Sequence, residues 1–498
     1  MTEVTIKTET PLTVNAYING EIVESEQHEP RENPAKPQET AGYWPLNSVD
    51  DAKRAIDAAD EAFKSWKKTD LNERIERMQK AIDKVRENQN DLVKLLSEEH
   101  GKPLYDAEGE MTVSLMFMQY AVDNAERVYS ETVNEDDRGK NVLRHEPIGV
   151  VSAISPWNYP LALSTEKIAP ALLAGNTMVL KPSPMAPLTV TLVTQLIAEE
   201  FPAGVLNIVN GEAEIGIELT SNEKVRKIAF TGGTATGRHI MKSAADTIKN
   251  ITLELGGNDP AIFLEDFDVN DEAAMRRIVI SNFLTGGQIC MIAKRMYVHE
   301  SIYDEFVEKY MEAANKWLRI GDPTLEETTV GPVNNKQQLE FVQELIEDSR
   351  QNGYEIREVG KVADEDFFNN GYFMYPTVVL GADYDSRVVA EEQFGPVVPI
   401  LKFRDDEHAI ELANDSELGL TSSVWGEEEH AIEVSRHIEA GVTMVNTAAI
   451  QGLDIRYPFG GVKQSGIGRE YGEEGMLEYV DSHVINIPKQ KDLPHIPQ

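Results

Sequence analysis

Residues 149–184 read GVVSAISPWNYPLALSTEKIAPALLAGNTMVLKPSP. The opening run, 149–154, is apolar and short enough for a strand buried on both faces. A turn signal follows at Ser155-Pro156 and Asn158, and 165–173 carries the spacing of a helix. A second short apolar run, 177–180, then ends at Lys181-Pro182. Strand, helix and strand in this order predict a parallel pair joined by a crossover.

The same alternation continues downstream. Apolar runs at 204–209, 228–231 and 251–255 are separated by amphipathic stretches at 188–200, 213–219 and 234–244. A mostly parallel sheet covered on both faces results, and such sheets bind ligands beyond the carboxyl ends of their strands. A second α/β block starts near residue 256. Its helices are expected at 272–284, 302–317 and 337–349, and its strands at 295–298, 377–380, 397–401, 422–425 and 442–446. Upstream, residues 1–16 read as frayed, and 17–23 as strand around a turn at Asn19-Gly20. Ser48 with Asp51 forms a capping box for a helix whose stripe is Ala52, Ile56, Ala59, Phe63 and Trp66. Ile75, Met78, Ile82 and Val85 mark the next helix.

The whole chain has 498 residues, so more than one domain is expected. Lys plus Arg is 47 against 85 Asp plus Glu, a formal charge of −38. No broad basic patch can be assembled from that balance, which argues against nucleic acid or an anionic membrane as partner. It leaves room for an anionic cofactor held by backbone amides. A single cysteine excludes an intrachain disulfide. The first eleven residues lack an apolar h-region and no run of 18 apolar residues occurs, so a cytoplasmic location is expected. No zinc-ligand spacing is present, and no metal is expected.

Several residues can carry chemistry. Cys290 ends TGGQIC (285–290), where two glycines let backbone approach a ligand. It reads either as a buried structural cysteine or as a nucleophile for a carbonyl carbon. Glu254 closes the apolar run ITLE, as a salt-bridged structural carboxylate or as a base with its pKa raised by burial. Asn158 stands just past a strand, as turn former or as oxyanion donor. Lys181, at another strand exit, either caps the strand or reaches a ribose or phosphate. The run FTGGTATG (230–237) is strand, glycine turn, helix, and suits a pyrophosphate, but it matches neither the GxGxxG fingerprint nor a P-loop.

Seven segments in order closely resemble the NAD(P)-dependent aldehyde dehydrogenase superfamily: SPWNYP (155–160), KPSP (181–184), FTGGTATG (230–237), LELGG (253–257), GQIC (287–290), EEQFGPV (391–397) and PFGGVKQSGIGRE (458–470). The resemblance implies an α/β fold with a Rossmann-type dinucleotide-binding domain at 1–126 and 149–255. It further implies an α/β catalytic domain at 256–477 and a small β oligomerisation element from 127–148 and 478–490. A tail follows at 491–498, and the assembly is expected to be a homodimer or homotetramer. The implied reaction is NAD- or NADP-dependent oxidation of an aldehyde. Cys290 forms a thiohemiacetal held by Asn158 and the Cys290 N–H, then a thioester that Glu254 hydrolyses through water. Lys167 and Glu470 match positions associated with proton movement. Cofactor contacts are implied at Ile154, Pro156, Trp157, Lys181, Pro184, Gly233, Gly237, Leu255, Glu392 and Phe394.

Three departures qualify that picture. Pro184 stands where a ribose-binding Glu is frequent, which leaves both NAD and NADP open. Gly233 replaces a usual Ser, and the loop 447–457 is slightly long. Substrate-facing candidates are Tyr159, Leu163, Glu166, Ile289, Met291 and Leu453, mostly apolar, with Arg456 the one cation considered. An aliphatic or aromatic aldehyde is therefore expected. The rivals are an acylating dehydrogenase using coenzyme A and a Cys290–Glu254–Lys167 thiol hydrolase.

Overall fold

The structure, a computed structural model, describes residues 11–489. The expected tail at 491–498 and the first ten residues lie outside the described residues. An eight-stranded sheet orders its strands Gly466–Ile467, Asn250–Glu254, Val225–Thr231, Val150–Ile154, Thr177–Lys181, Leu206–Ile208, Ala16–Ile18 and Glu21–Val23. The five strands from Asn250–Glu254 to Leu206–Ile208 are mutually parallel. Both edges are antiparallel additions. Strand order reverses at Val150–Ile154, which has a later strand on each side. A crevice opens at such a reversal, beyond the strands' carboxyl ends.

A second sheet runs Glu355–Glu358, Thr377–Leu380, Val397–Phe403, Ala293–His299, Asp259–Phe263, Thr421–Trp425 and Val442–Val445. All but the first are parallel. A third sheet pairs Gly139–Pro147 with Thr132–Glu135 on one side and Val480–Pro488 on the other, both antiparallel. No helix among the described residues is long and apolar enough to cross a membrane.

Local chemistry explains the elements that the sequence makes legible. Ser48 and Asp51 form the reciprocal cap of Val49–Trp66, satisfying amide groups that the helix itself cannot. Asn19 and Gly20 both take positive φ (55° and 82°), as the two-residue hairpin between Ala16–Ile18 and Glu21–Val23 requires. Val150–Ile154 is buried along almost its whole length, in keeping with its unbroken apolar run.

Three parts of the chain depart from the sequence reading. Residues 11–16 are ordered, not frayed: Leu12–Thr13 pairs with Lys36–Pro45, and Val14 and Ala16 are buried. Asp259–Phe263, in the middle of the second sheet, was not expected as a strand because Pro260 interrupts its pattern. The register shift at Asp259/Pro260 absorbs that residue. The helices Gln89–His100 and Leu104–Tyr129 were likewise unassigned. Leu104–Tyr129 buries polar side chains such as Asp106 and Glu110, so its apolar periodicity is blurred.

Candidate active site

Where the two large sheets meet, a cavity of about 270 Å³ opens at the strand-order reversal. Three strand exits of the first sheet supply one wall. Pro156, Trp157 and Asn158 follow Val150–Ile154; Thr231, Gly232 and Gly233 end Val225–Thr231; Leu255 and Gly256 follow Asn250–Glu254. Cys290, Glu392 and Phe394 face them from the second sheet's side, with Gln338 and Phe341 completing the wall.

Cys290 sits at the end of a tight loop. Thr285 (φ 50°), Gly286 (φ 63°) and Gly287 (φ 75°) all lie in the left-handed region. At Gly287 a Cβ would fall 2.3 Å from the Gly395 carbonyl oxygen, so only glycine lets the two loops approach. Burial pushes the Cys290 thiol up to about 12; Lys294 opposes the shift, and Glu392, Asp259 and Glu254 add to it. Lys294 Nζ donates to the Cys290 carbonyl at 2.6 Å and lies 3.7 Å from Glu392 Oε1. Lys294 is a residue the sequence reading missed; its position four residues beyond the cysteine was the available signal.

Glu254 is buried, and among the described residues neither carboxylate oxygen has a hydrogen-bond partner. The salt-bridged alternative therefore fails on geometry. Burial raises its pKa well above the ordinary carboxylate range, Glu470 and Glu166 add to the shift, and Lys167 opposes it. Behind it, Lys167 Nζ bridges Glu166 Oε1 (2.7 Å) and Glu470 Oε1 (2.9 Å). Burial lifts Glu470 to about 7 against the pull of Lys167. Glu166, expected to face substrate, is instead held in this ion cluster. The other five substrate-facing candidates, Tyr159, Leu163, Ile289, Met291 and Leu453, do pack into one apolar cluster with Cys290.

The remaining expected contacts divide. Pro156, Trp157, Gly233, Leu255, Glu392 and Phe394 line the cavity; Ile154, Lys181, Pro184 and Gly237 do not. Ile154 and Lys181 are register partners on neighbouring strands. Lys181 is buried and pushed down to about 8, with Glu212 and Glu214 opposing. Pro184 is half-buried in the turn after that strand. Gly237 lies under Leu255, whose Cδ2 would be 2.6 Å from an added Cβ.

A dinucleotide fits this cavity on its own chemistry. Thr231 Oγ1 is buried there without a partner among the described residues. Glu392 accepts one hydrogen bond, from the Gly257 N–H at 3.1 Å, and keeps acceptor capacity for hydroxyl groups. Open space lies beyond Gly233, at the first turn of Thr234–Ala245, so phosphate can reach that helix's free amides. Trp157 and Phe394 meet edge to face, their centroids 5.3 Å apart, and wall the space between.

A sequence profile of the aldehyde dehydrogenase family matches residues 22–485. The chain belongs to the aldehyde dehydrogenase family. It is 38% identical over 473 residues to glutarate-semialdehyde dehydrogenase of Pseudomonas putida, covering 94% of this chain and 96% of that one. To the NADP(+) succinate-semialdehyde dehydrogenase GabD of Escherichia coli it is 36% identical over 472 residues, with the same coverage. Among solved structures, betaine aldehyde dehydrogenase of Staphylococcus aureus, in complex with NAD+, superposes with a TM-score of 0.90 at 34% identity. That match covers 96% of this chain and 95% of the other. This aldehyde dehydrogenase is thus an NAD(P)-dependent enzyme of mixed α/β fold.

A layer behind the dehydrogenase site was also missed in the sequence. Lys102 and Glu110 form an ion pair with both side chains fully buried. Lys102→Met would leave the Glu110 carboxylate uncompensated, and a loss of about 3–5 kcal/mol is expected by denaturant unfolding. A loss under about 1 kcal/mol would show that water reaches the pair.

Proposed function

We propose that this dehydrogenase oxidises a neutral aldehyde, with an aliphatic or aromatic substituent, to its carboxylic acid through a covalent Cys290 intermediate. The observation that carries the reading is the apolar cluster around Cys290. Phe117, Tyr159, Leu163, Ile289, Met291 and Phe459 are among its members. Nearby cations are already engaged: Lys294 by the Cys290 carbonyl, Lys102 by Glu110, Lys167 by Glu166 and Glu470. A substrate carboxylate entering there would be desolvated without a partner, at a cost of several kcal/mol.

In the proposed chemistry Cys290 Sγ bonds to the aldehyde carbon as its thiol proton passes to solvent water. The new alkoxide accepts hydrogen bonds from the Asn158 amide and the Cys290 N–H. Bound nicotinamide supplies the hydride acceptor. Glu254 then takes a proton from the water that cleaves the thioester, while Lys167 and Glu470 hold and pass on that proton. Glu392, Phe394, Trp157 and Pro156 hold the cofactor, with Gly233, Gly237, Leu255, Ile154, Lys181 and Pro184 shaping its bed. The first sheet forms the cofactor domain and the second the catalytic domain. The third sheet, with Val133, Val484, Ile485 and Ile487 exposed, is the element that joins subunits into a homodimer or homotetramer.

A second reading, an anionic semialdehyde, is favoured by the names of the relatives from P. putida and E. coli. It would need Arg456, now paired with Asp454 at 2.6 Å, to turn inward.

The deciding assay follows absorbance of the reduced nicotinamide with NAD and NADP in parallel. Butanal and benzaldehyde are expected to exceed succinic semialdehyde in kcat/KM by about tenfold or more. The reverse order would establish the anionic reading, and no turnover with any aldehyde in folded enzyme would sink both. In the same assay Pro184→Glu is expected to weaken NADP about tenfold more than NAD, through repulsion of the 2′-phosphate. An unchanged ratio would mean that the ribose is read elsewhere.

A further inference from the structure

One short segment outside the cavity bonds both to the loop that ends at Cys290 and to the backbone of Asn158. Asp106 Oδ2 accepts from the Thr285 N–H at 2.8 Å and from the Thr285 hydroxyl at 3.0 Å. Thr285 opens the loop that ends at Cys290, and its positive φ of 50° marks a backbone that needs holding. The same Thr285 Oγ1 shares a hydrogen bond with the Tyr159 hydroxyl at 3.0 Å. Tyr159 is the neighbour of Asn158. Lys102 Nζ donates to the Asn158 carbonyl at 2.8 Å and stands 3.9 Å from the centroid of the Tyr159 ring. Glu110 completes the set, accepting from Lys102 at 2.5 Å and from the Leu161 and Ala162 N–H groups at 2.7 and 3.2 Å. All three carriers, Lys102, Asp106 and Glu110, are buried.

We propose that residues 102–110 form a positioning device that sets the nucleophile loop against the oxyanion loop, with the Asp106–Thr285–Tyr159 chain as the coupling between them. This rests on the reading of Cys290 and Asn158 as nucleophile and oxyanion donor. Asp106 touches neither substrate nor cofactor; it acts through Thr285. Misplacing a reacting group by about 1 Å costs up to about 100-fold in rate, so a hydrogen-bonded clamp is enough to matter.

The test separates the distance between the two loops from the reactivity of the thiol. Asp106→Asn and Thr285→Val are compared with Thr285→Ser, which keeps the hydroxyl. Two rates are read: single-turnover formation of reduced nicotinamide with butanal, and alkylation of Cys290 by iodoacetamide. Alkylation needs the thiol but no oxyanion donor, and Cys290 is the chain's single cysteine. The expected result is a fall of at least about tenfold in single turnover for Asp106→Asn and Thr285→Val. Alkylation and the aldehyde KM stay within about threefold, and Thr285→Ser restores the rate. If Asp106→Asn does not fold, the Thr285 pair decides alone. Wild-type single-turnover rates, or an equal fall in both rates, would overturn the proposal. If wild-type enzyme is alkylated but reduces no cofactor with any aldehyde, the functional reading has failed instead, and the clamp with it.

Discussion

Cys290→Ala is expected to abolish nicotinamide reduction, with kcat falling by at least about 10⁴-fold, while cofactor affinity stays within about threefold. The asymmetry follows from the cavity. Twelve other residues line it with Cys290, and none of the cofactor-facing walls depends on the thiol for its hydrogen bonds. Stability should change little, since Cys290 is half-buried and loses a single sulfur atom. The check is steady-state absorbance alongside a titration of cofactor binding by tryptophan fluorescence, for which Trp157 on the cavity wall is placed. Residual turnover within about 100-fold of wild type would remove Cys290 from the chemistry. It would also leave the thiol hydrolase reading without a nucleophile.

Glu254→Gln is expected to leave the first turnover nearly intact and to slow the steady state by about 10²–10⁴-fold. A burst of reduced cofactor close to one equivalent per active site should be followed by a slow phase. Gln keeps the shape but cannot take a proton from water. Because burial, Glu470 and Glu166 hold the Glu254 pKa well above the usual carboxylate range, the wild-type thioester decays faster as pH rises and Glu254 ionises. That climb should vanish in the variant. The stability consequence has its own sign. A carboxyl with a raised folded pKa binds its proton more tightly folded than unfolded, so its contribution is lost as pH rises through that folded value. Wild-type Tm should therefore fall relative to Glu254→Gln on going from pH 5 to pH 8. Full steady-state turnover in the variant would mean that another group activates the water. Slow decay rescued by added coenzyme A, with no dependence on Glu254 in the wild type, would favour the acylating alternative.

Much of this molecule was legible in one dimension because its signals are local. The five central parallel strands of the first sheet announce themselves as short apolar runs between helical stretches, since a strand buried on both faces has no polar side to show. Ser48 with Asp51 and Asn19 with Gly20 are legible for the same reason: cap and turn chemistry act within a few residues. Glu254 and Asn158 were visible as polar residues at the ends of apolar runs, where a parallel sheet presents its ligand face, and Cys290 as the lone cysteine behind two glycines. Pro260 hid a central strand, because a local rule against proline in sheets was overridden by a register shift that only the assembled sheet displays.

What the tertiary structure alone decided is which charges are partnered. Sequence order cannot tell that Glu254 stands unpaired while Glu166, one residue from Lys167, is drawn into an ion cluster with Glu470 some three hundred residues away. Nor can it tell that Asp106, Thr285 and Tyr159 meet, although each lies on a different element. Hydrogen bonds and ion pairs in a low-dielectric interior are set by distances of a few ångströms between groups far apart in the chain. Periodicity and local propensity carry no information about such distances. The chain of 498 residues thus wrote its strands, caps and reactive side chains into its order, and left their electrostatic company to the fold.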